Sequence, residues 1–129
     1  MDMHIKFEGK SKISAEYKGF SIKTDQGVMS GGEGTAPAPF DLFLASIGTC
    51  AGFYIKSFCD QRNINTEGIE IVQKMAYNQE ERRIGAIDIE IKLPEDFPVK
   101  YKDALINAAN LCAVKRHIHT PPEFSIYTI

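Results

Sequence analysis

The sequence lacks a cationic excess, a tight cysteine pair and every familiar nucleotide or hydrolase motif. Its 129 residues carry 15 Lys+Arg against 17 Asp+Glu, a formal charge of −2. Nucleic-acid binding calls for a basic surplus, so this balance argues against a nucleic-acid partner. The three cysteines form no CxxC pair, which argues against a disulfide framework and leaves reactive or simply buried thiols. No GxGxxG, Walker, GxSxG or HExxH pattern occurs, so none of the chemistries those motifs support is indicated. There is no internal repeat and no low-complexity tract. The opening residues, Met1 to Phe7, alternate like a strand and carry no apolar leader segment, which predicts a cytoplasmic protein. The longest apolar stretch, Phe40 to Cys59, is interrupted by Asp41 and Lys56; it reads as a buried helix and not as a membrane span.

What remains is ordinary globular material, 43% hydrophobic and 25% charged, enough for one domain over residues 1–129 with a core of its own. Met3, Ile5 and Phe7, then Ile13, Ala15 and Tyr17, then Phe20 and Ile22 recur at every second position. This predicts a β-meander with one face buried and one wet, turning at Gly9-Lys10 and Lys18-Gly19. Residues 25–39 are rich in Gly and Pro, a connection long enough to be either functional or mobile. A helix follows from about Pro39 to Asn63, apolar on nearly every side. So small a domain can hardly cover it, which is a first hint of a second subunit. A hairpin comes next, with Ile69, Ile71, Gln73, Met75 and Tyr77 on one face, a polar turn at 78–83, and Ile87, Ile89, Ile91 and Leu93 returning. A second helix is predicted from about Pro98 to Val114, with Tyr101, Ala104, Leu105, Ala108, Ala109 and Cys112 as its stripe. Phe124 to Ile129 reads as a last strand. Strands and helices in this order, without βαβ alternation, give the α+β class.

Cys50 lies in the central helix among Ser46, Gly48, Ala51 and Gly52. Two glycines weaken a helix, so something must approach closely there; the plainer reading is a small core residue. Cys112 points to the same interior, so the two thiols form a redox pair if their Cα atoms come within about 4.4–6.8 Å. Cys59, nine residues beyond Cys50, falls on the opposite helix face and reads as packing. Asp41 favours the positive end of the central helix, and it too lies opposite Cys50, so a two-fold partner rather than the same chain would bring a carboxylate to that thiol. His117 and His119 make an HxH pair that could join Cys112 on a metal, although nothing completes four ligands; no metal is expected.

The run Gly34-Thr35-Ala36-Pro37-Ala38-Pro39-Phe40-Asp41-Leu42-Phe43-Leu44-Ala45-Ser46-Ile47-Gly48-Thr49-Cys50 resembles the signature of the osmotically inducible protein C and organic hydroperoxide resistance family (OsmC-like). The run from Ala109 through Cys112 to Ile118 is similar to the second cysteine motif of that family. The resemblance implies antiparallel sheets wrapped around a long buried central helix, in an intertwined homodimer with two interfacial active sites. It implies Cys50 as peroxidatic cysteine, Cys112 as resolving cysteine and Asp41 in place of the usual Glu. The implied reaction is thiol-dependent reduction of an organic hydroperoxide to an alcohol, with a dithiol reductant, no cofactor, and an apolar pocket lined by residues such as Phe43, Phe53 and Tyr54. Two departures stand out. No arginine precedes Arg62, where the reductases of the family supply one from the N-terminal strands; Lys18 or Lys23 is the candidate substitute. Ala113 follows Cys112 where the family usually has Pro. These departures keep a second reading open, a non-catalytic relative that binds a small apolar or sulfur-containing ligand at the dimer interface.

Overall fold

The structure, a computed structural model, describes residues 1–129. The chain forms two compact units, residues 1–45 and 46–129. Both consist of antiparallel strands and helices, an α+β arrangement.

The first unit is a meander of β1 (His4–Phe7), β2 (Ile13–Tyr17) and β3 (Phe20–Thr24), paired in that order. The register aligns Ile5 with Ala15 and Ile22, and Phe7 with Ile13, so period two gathers the apolar side chains on one face. The expectation that this face is the buried one is overturned within the chain. Ile5 is 62% exposed and Phe7 91%. The opposite, polar face holds the buried residue, Ser14, whose hydroxyl donates to Glu8 Oε1 at 2.6 Å.

The glycine-rich connection is folded around one carboxylate. Asp25 is buried and accepts from the Gln26 N–H (2.8 Å), the Thr35 N–H (3.1 Å) and the Thr35 hydroxyl (2.6 Å). Gly32 passes so close to the backbone of Gln26 that a Cβ there would lie 2.0 Å from its carbonyl oxygen, so only glycine suits the position. The β1–β2 turn is latched to the same loop by Lys10 and Lys12, each 3.1 Å from a Glu33 oxygen, and by the Ser11 hydroxyl on the Gly31 carbonyl (3.2 Å). The long connection that reads as either functional or mobile is held at Asp25 by these local hydrogen bonds.

Helix α1 (Pro39–Gln61) begins in the first unit and continues into the second. Its length and apolarity would suffice to cross a membrane, yet Ile47, Ala51, Ile55, Phe58 and Cys59 form a stripe committed to the core of the second unit. Ile55, Phe58 and Cys59 pack there with Phe97 and Leu105. Cys59 is thus packing, as its helix face predicts. The helix ends at a left-handed Asn63, and Arg62 lies 3.7 Å above the Phe58 ring while donating to the Phe58 carbonyl. A guanidinium at a helix C-terminus satisfies both the ring and the free carbonyl end. Hairpin β4 (Glu70–Asn78) and β5 (Arg83–Lys92) pairs Ile71 with Ile91, Gln73 with Ile89 and Met75 with Ile87.

Two expectations about the C-terminal third are corrected. The single helix to Val114 is instead α2 (Lys102–Ala109) and α3 (Ala113–His119), broken at Asn110–Cys112. Asn competes for local hydrogen bonds and favours helix ends; here Asn110 Oδ1 accepts from Lys115 Nζ at 2.6 Å. Residues 124–129 form no strand within the chain, and Phe124, Ile126, Tyr127 and Ile129 are wide open.

Two outcomes follow for stability. Leu105→Ala, which empties the core of the second unit, costs about 2–5 kcal/mol by urea denaturation. Hydrogen bonds from Thr35 hold the Asp25 carboxyl at about 2, below its ordinary 3.8. A depressed folded value stabilises above the unfolded one, so this contribution is complete above about pH 4 and lost as the pH falls towards 2. Thr35→Val weakens it and shifts the acid unfolding midpoint, followed by circular dichroism, to higher pH.

Candidate active site

Cys50 is half-buried on α1, one position before the buried Ala51. Cys112 is fully buried and sits at the N-cap of α3, where the backbone is extended (φ −51°, ψ 120°) before the helix starts. The break between α2 and α3 is therefore what aims the first turn of α3 at α1. The two thiols are free, with no disulfide between them, and each lies near enough to the other to perturb its ionisation.

The two sulfurs are electrostatically unlike. The backbone N–H of Val114 is the main group holding the Cys50 thiol below its ordinary value; the Cys112 side chain, the Ala113 N–H and the Arg116 charge act in the same direction against desolvation. Burial pushes the Cys112 thiol up, and the hydrogen bond and charge of Cys50 push it further, against the N–H groups of Lys115 and Val114. In this pair Cys50 is the thiol that ionises more readily and Cys112 the one that holds its proton.

Donors for a Cys50 thiolate thus come from α3. The sequence offered Lys18 or Lys23 as substitutes for the family's arginine, and both belong to the first unit. Lys18 Nζ lies 5.1 Å from the Tyr17 ring centre in the β2–β3 turn, and Lys23 lines a polar cavity of about 320 Å3 in the first unit with Glu8, Lys12 and Ser14. The signal that could have revealed the α3 donors was Asn110, two residues before Cys112, as a helix terminator. Asp41 lies exposed in the first turn of α1, and its Oδ2 accepts the Ala38 N–H at 3.2 Å. His117 and His119 belong to α3 and are exposed; His117 Nδ1 is 2.7 Å from the Ala113 carbonyl. No three of the His, Cys, Asp and Glu side chains gather as a metal would require.

A cavity of about 730 Å3 is lined by neighbours of the pair in sequence, though by neither cysteine itself. Ile47 and Ala51, which bracket Cys50 on α1, form one wall; Ile89, Leu105 and Ile118 form others, and Lys115 is among its few polar groups. Its size and apolarity suit a small organic molecule. It is not the pocket of Phe43, Phe53 and Tyr54 that the sequence suggested: Phe43 and Phe53 are exposed, and Phe53 and Tyr54 stack edge to face at 5.4 Å.

The asymmetry of the pair has a direct readout. The pH profile of Cys50 alkylation, resolved by mass spectrometry, has its midpoint below the free-thiol value of about 8.5. Arg116→Gln raises that midpoint by less than about one unit, because a single exposed charge is screened while the N–H groups remain.

No curated protein sequence matches the chain. Solved structures do. A protein from Psychrobacter arcticus described as an osmotic stress induced and detoxification response protein is 24% identical, with a TM-score of 0.75 over 91% of this chain and 87% of its own. A hypothetical protein from Aquifex aeolicus VF5 is 18% identical, with a TM-score of 0.64 over 95% and 89%. An organic hydroperoxide resistance protein OsmC from Legionella pneumophila, described as a predicted redox protein and regulator of sulfide bond formation, is 18% identical, with a TM-score of 0.56 over 92% and 89%. At these identities the likeness is one of fold. The sequence model of the OsmC-like proteins matches residues 32–126, a span that takes in both Cys50 and Cys112, and the chain belongs to that family.

Proposed function

We propose that the protein is a thiol peroxidase that reduces organic hydroperoxides, with Cys50 as nucleophile and Cys112 as resolving thiol. The observation that carries this reading is the proximity of the two free thiols, each perturbing the other's ionisation, together with the influence of the Val114 and Ala113 N–H groups on Cys50. The Cys50 thiolate attacks the outer oxygen of ROOH and the O–O bond breaks. The alkoxide takes up a proton and leaves as ROH, and Cys50 becomes a sulfenic acid. Cys112 then attacks the Cys50 sulfur, water leaves, and the disulfide forms. A dithiol reduces it by exchange, restoring both thiols. The 730 Å3 apolar cavity offers a place for the organic group R, which favours alkyl hydroperoxides over hydrogen peroxide.

The active form in this reading is a cytoplasmic homodimer. The open apolar face of β1–β3 supports it, as do Phe40, Phe43 and Phe53 of α1 and the open residues 124–129, because exposed apolar area of this extent is covered in soluble proteins. Asp41 serves as a positioning carboxylate delivered across the two-fold. A binding-only role is the second reading. It draws on the missing N-terminal arginine and on the same cavity.

Cys50→Ser abolishes consumption of cumene hydroperoxide, and turnover at the parent rate in that variant would remove the peroxidase reading. Cys112→Ser consumes about one equivalent and leaves a Cys50 sulfenic acid that dimedone captures. Light scattering gives twice the 14.4 kDa chain mass; a monomer would sink the dimer.

A further inference from the structure

One face of the hairpin runs Ile71, Gln73, Met75 and Tyr77 on β4, with Ile71, Gln73 and Met75 opposite Ile91, Ile89 and Ile87 on β5. Gln73 is the one amide in that row. It is half-buried, where an amide is costly unless something uses it. Its Oε1 lies against α1 at Gly48: a Cβ built on Gly48 would be 2.6 Å from that oxygen and 3.7 Å from Cδ. One turn on, a Cβ at Gly52 would meet only Ile71 Cδ1, at 3.6 Å, which is ordinary contact. Gln73 also donates from Nε2 to Met75 Sδ at 3.6 Å, which steadies the amide over the helix.

Gly48 and Gly52 each lie two residues from Cys50, or about 200° around the helix. The turn that carries the thiol therefore rests on β4 with one face and meets the first turn of α3 with the other. We propose that Gln73 is a positioning residue for Cys50: its side chain, seated on the bare backbone at Gly48, sets the depth of α1 on the hairpin and thereby the approach of the Cys50 sulfur to Cys112 and the α3 amides. The proposal rests on the peroxidase reading only for its consequence in turnover; the placement of the sulfur is independent of it. A methyl group at position 48 must displace either the amide or the helix. Displacing the helix drives Cys50 into α3 and spoils hydrogen bonds that require angles above about 120°.

The test is a double-mutant cycle on Gly48→Ala and Gln73→Ala in the full chain. The readouts are the rate and pH midpoint of Cys50 alkylation, the rate of Cys50–Cys112 disulfide formation with diamide, and the urea midpoint. Gly48→Ala slows alkylation at pH 7 by about tenfold and raises its midpoint by about one unit. Gln73→Ala slows it about threefold, and the double variant returns to within about twofold of the parent, a coupling that only residues in contact display. If the four proteins share one alkylation profile and differ only in urea midpoint, Gln73 is mere packing and the proposal falls. It falls equally if the double variant is no better than Gly48→Ala. Should Gly48→Ala not fold, Gln73→Met replaces it: the chain of similar length keeps the parent rate within about twofold while Gln73→Ala does not, and equal slowing overturns the proposal. Hydroperoxide turnover is measured alongside. A shifted alkylation profile in a protein whose parent consumes no peroxide upholds the positioning role and removes the peroxidase reading.

Discussion

A sulfur on one helix meeting the backbone amides of another is the contact on which the chemistry of this molecule turns. Cys50 reaches the N–H groups of Ala113 and Val114, and Cys112, the residue that caps that turn, acts in the same direction. A thiolate in a partly dry site needs compensation, and here neutral dipoles supply most of it, with Arg116 adding charge from the same helix. The raised Cys112 thiol is the other half of the arrangement. Burial suppresses its ionisation, so of the two thiols Cys50 is the one that gives up its proton first.

That contact constrains the rest of the second unit. α1 must lie deep enough for Ile55, Phe58 and Cys59 to join Phe97 and Leu105, and its Gly48 edge must clear Gln73. The chain between α2 and α3 must stop being helical at Asn110–Cys112 so that the α3 amides face inward. Three elements distant in sequence are thus tied to a single sulfur position. A change in any of them is felt at Cys50 because close-packed interiors transmit small displacements.

Much of this was legible in the sequence, for identifiable reasons. The Ile87-Ile89-Ile91 alternation announced β5, and the apolar run after Pro39 announced α1 to within two residues of its end. The helical spacing of Leu105 and Cys112 placed both inside, and both are buried. The same regularity concealed the break: an apolar stripe that stays in phase across residues 101–112 gives no sign that the backbone leaves the helix at Asn110. Tertiary contacts decided the other surprises. The strand pattern of β1–β3 revealed which side chains share a face but not that this face lies open in a single chain. Asp25 looks like any polar residue at a strand end, and only the return of Thr35 to it shows the loop closing.

The Asp25 loop bears on the order of events as the chain matures. Its partners lie within ten residues of one another, and contacts so close in sequence are made in about 10–100 ns. The approach to Pro39 can therefore take its shape early, before any long-range pairing is complete. A chain leaving the ribosome would then carry a finished leading segment while its later strands and helices are still finding one another.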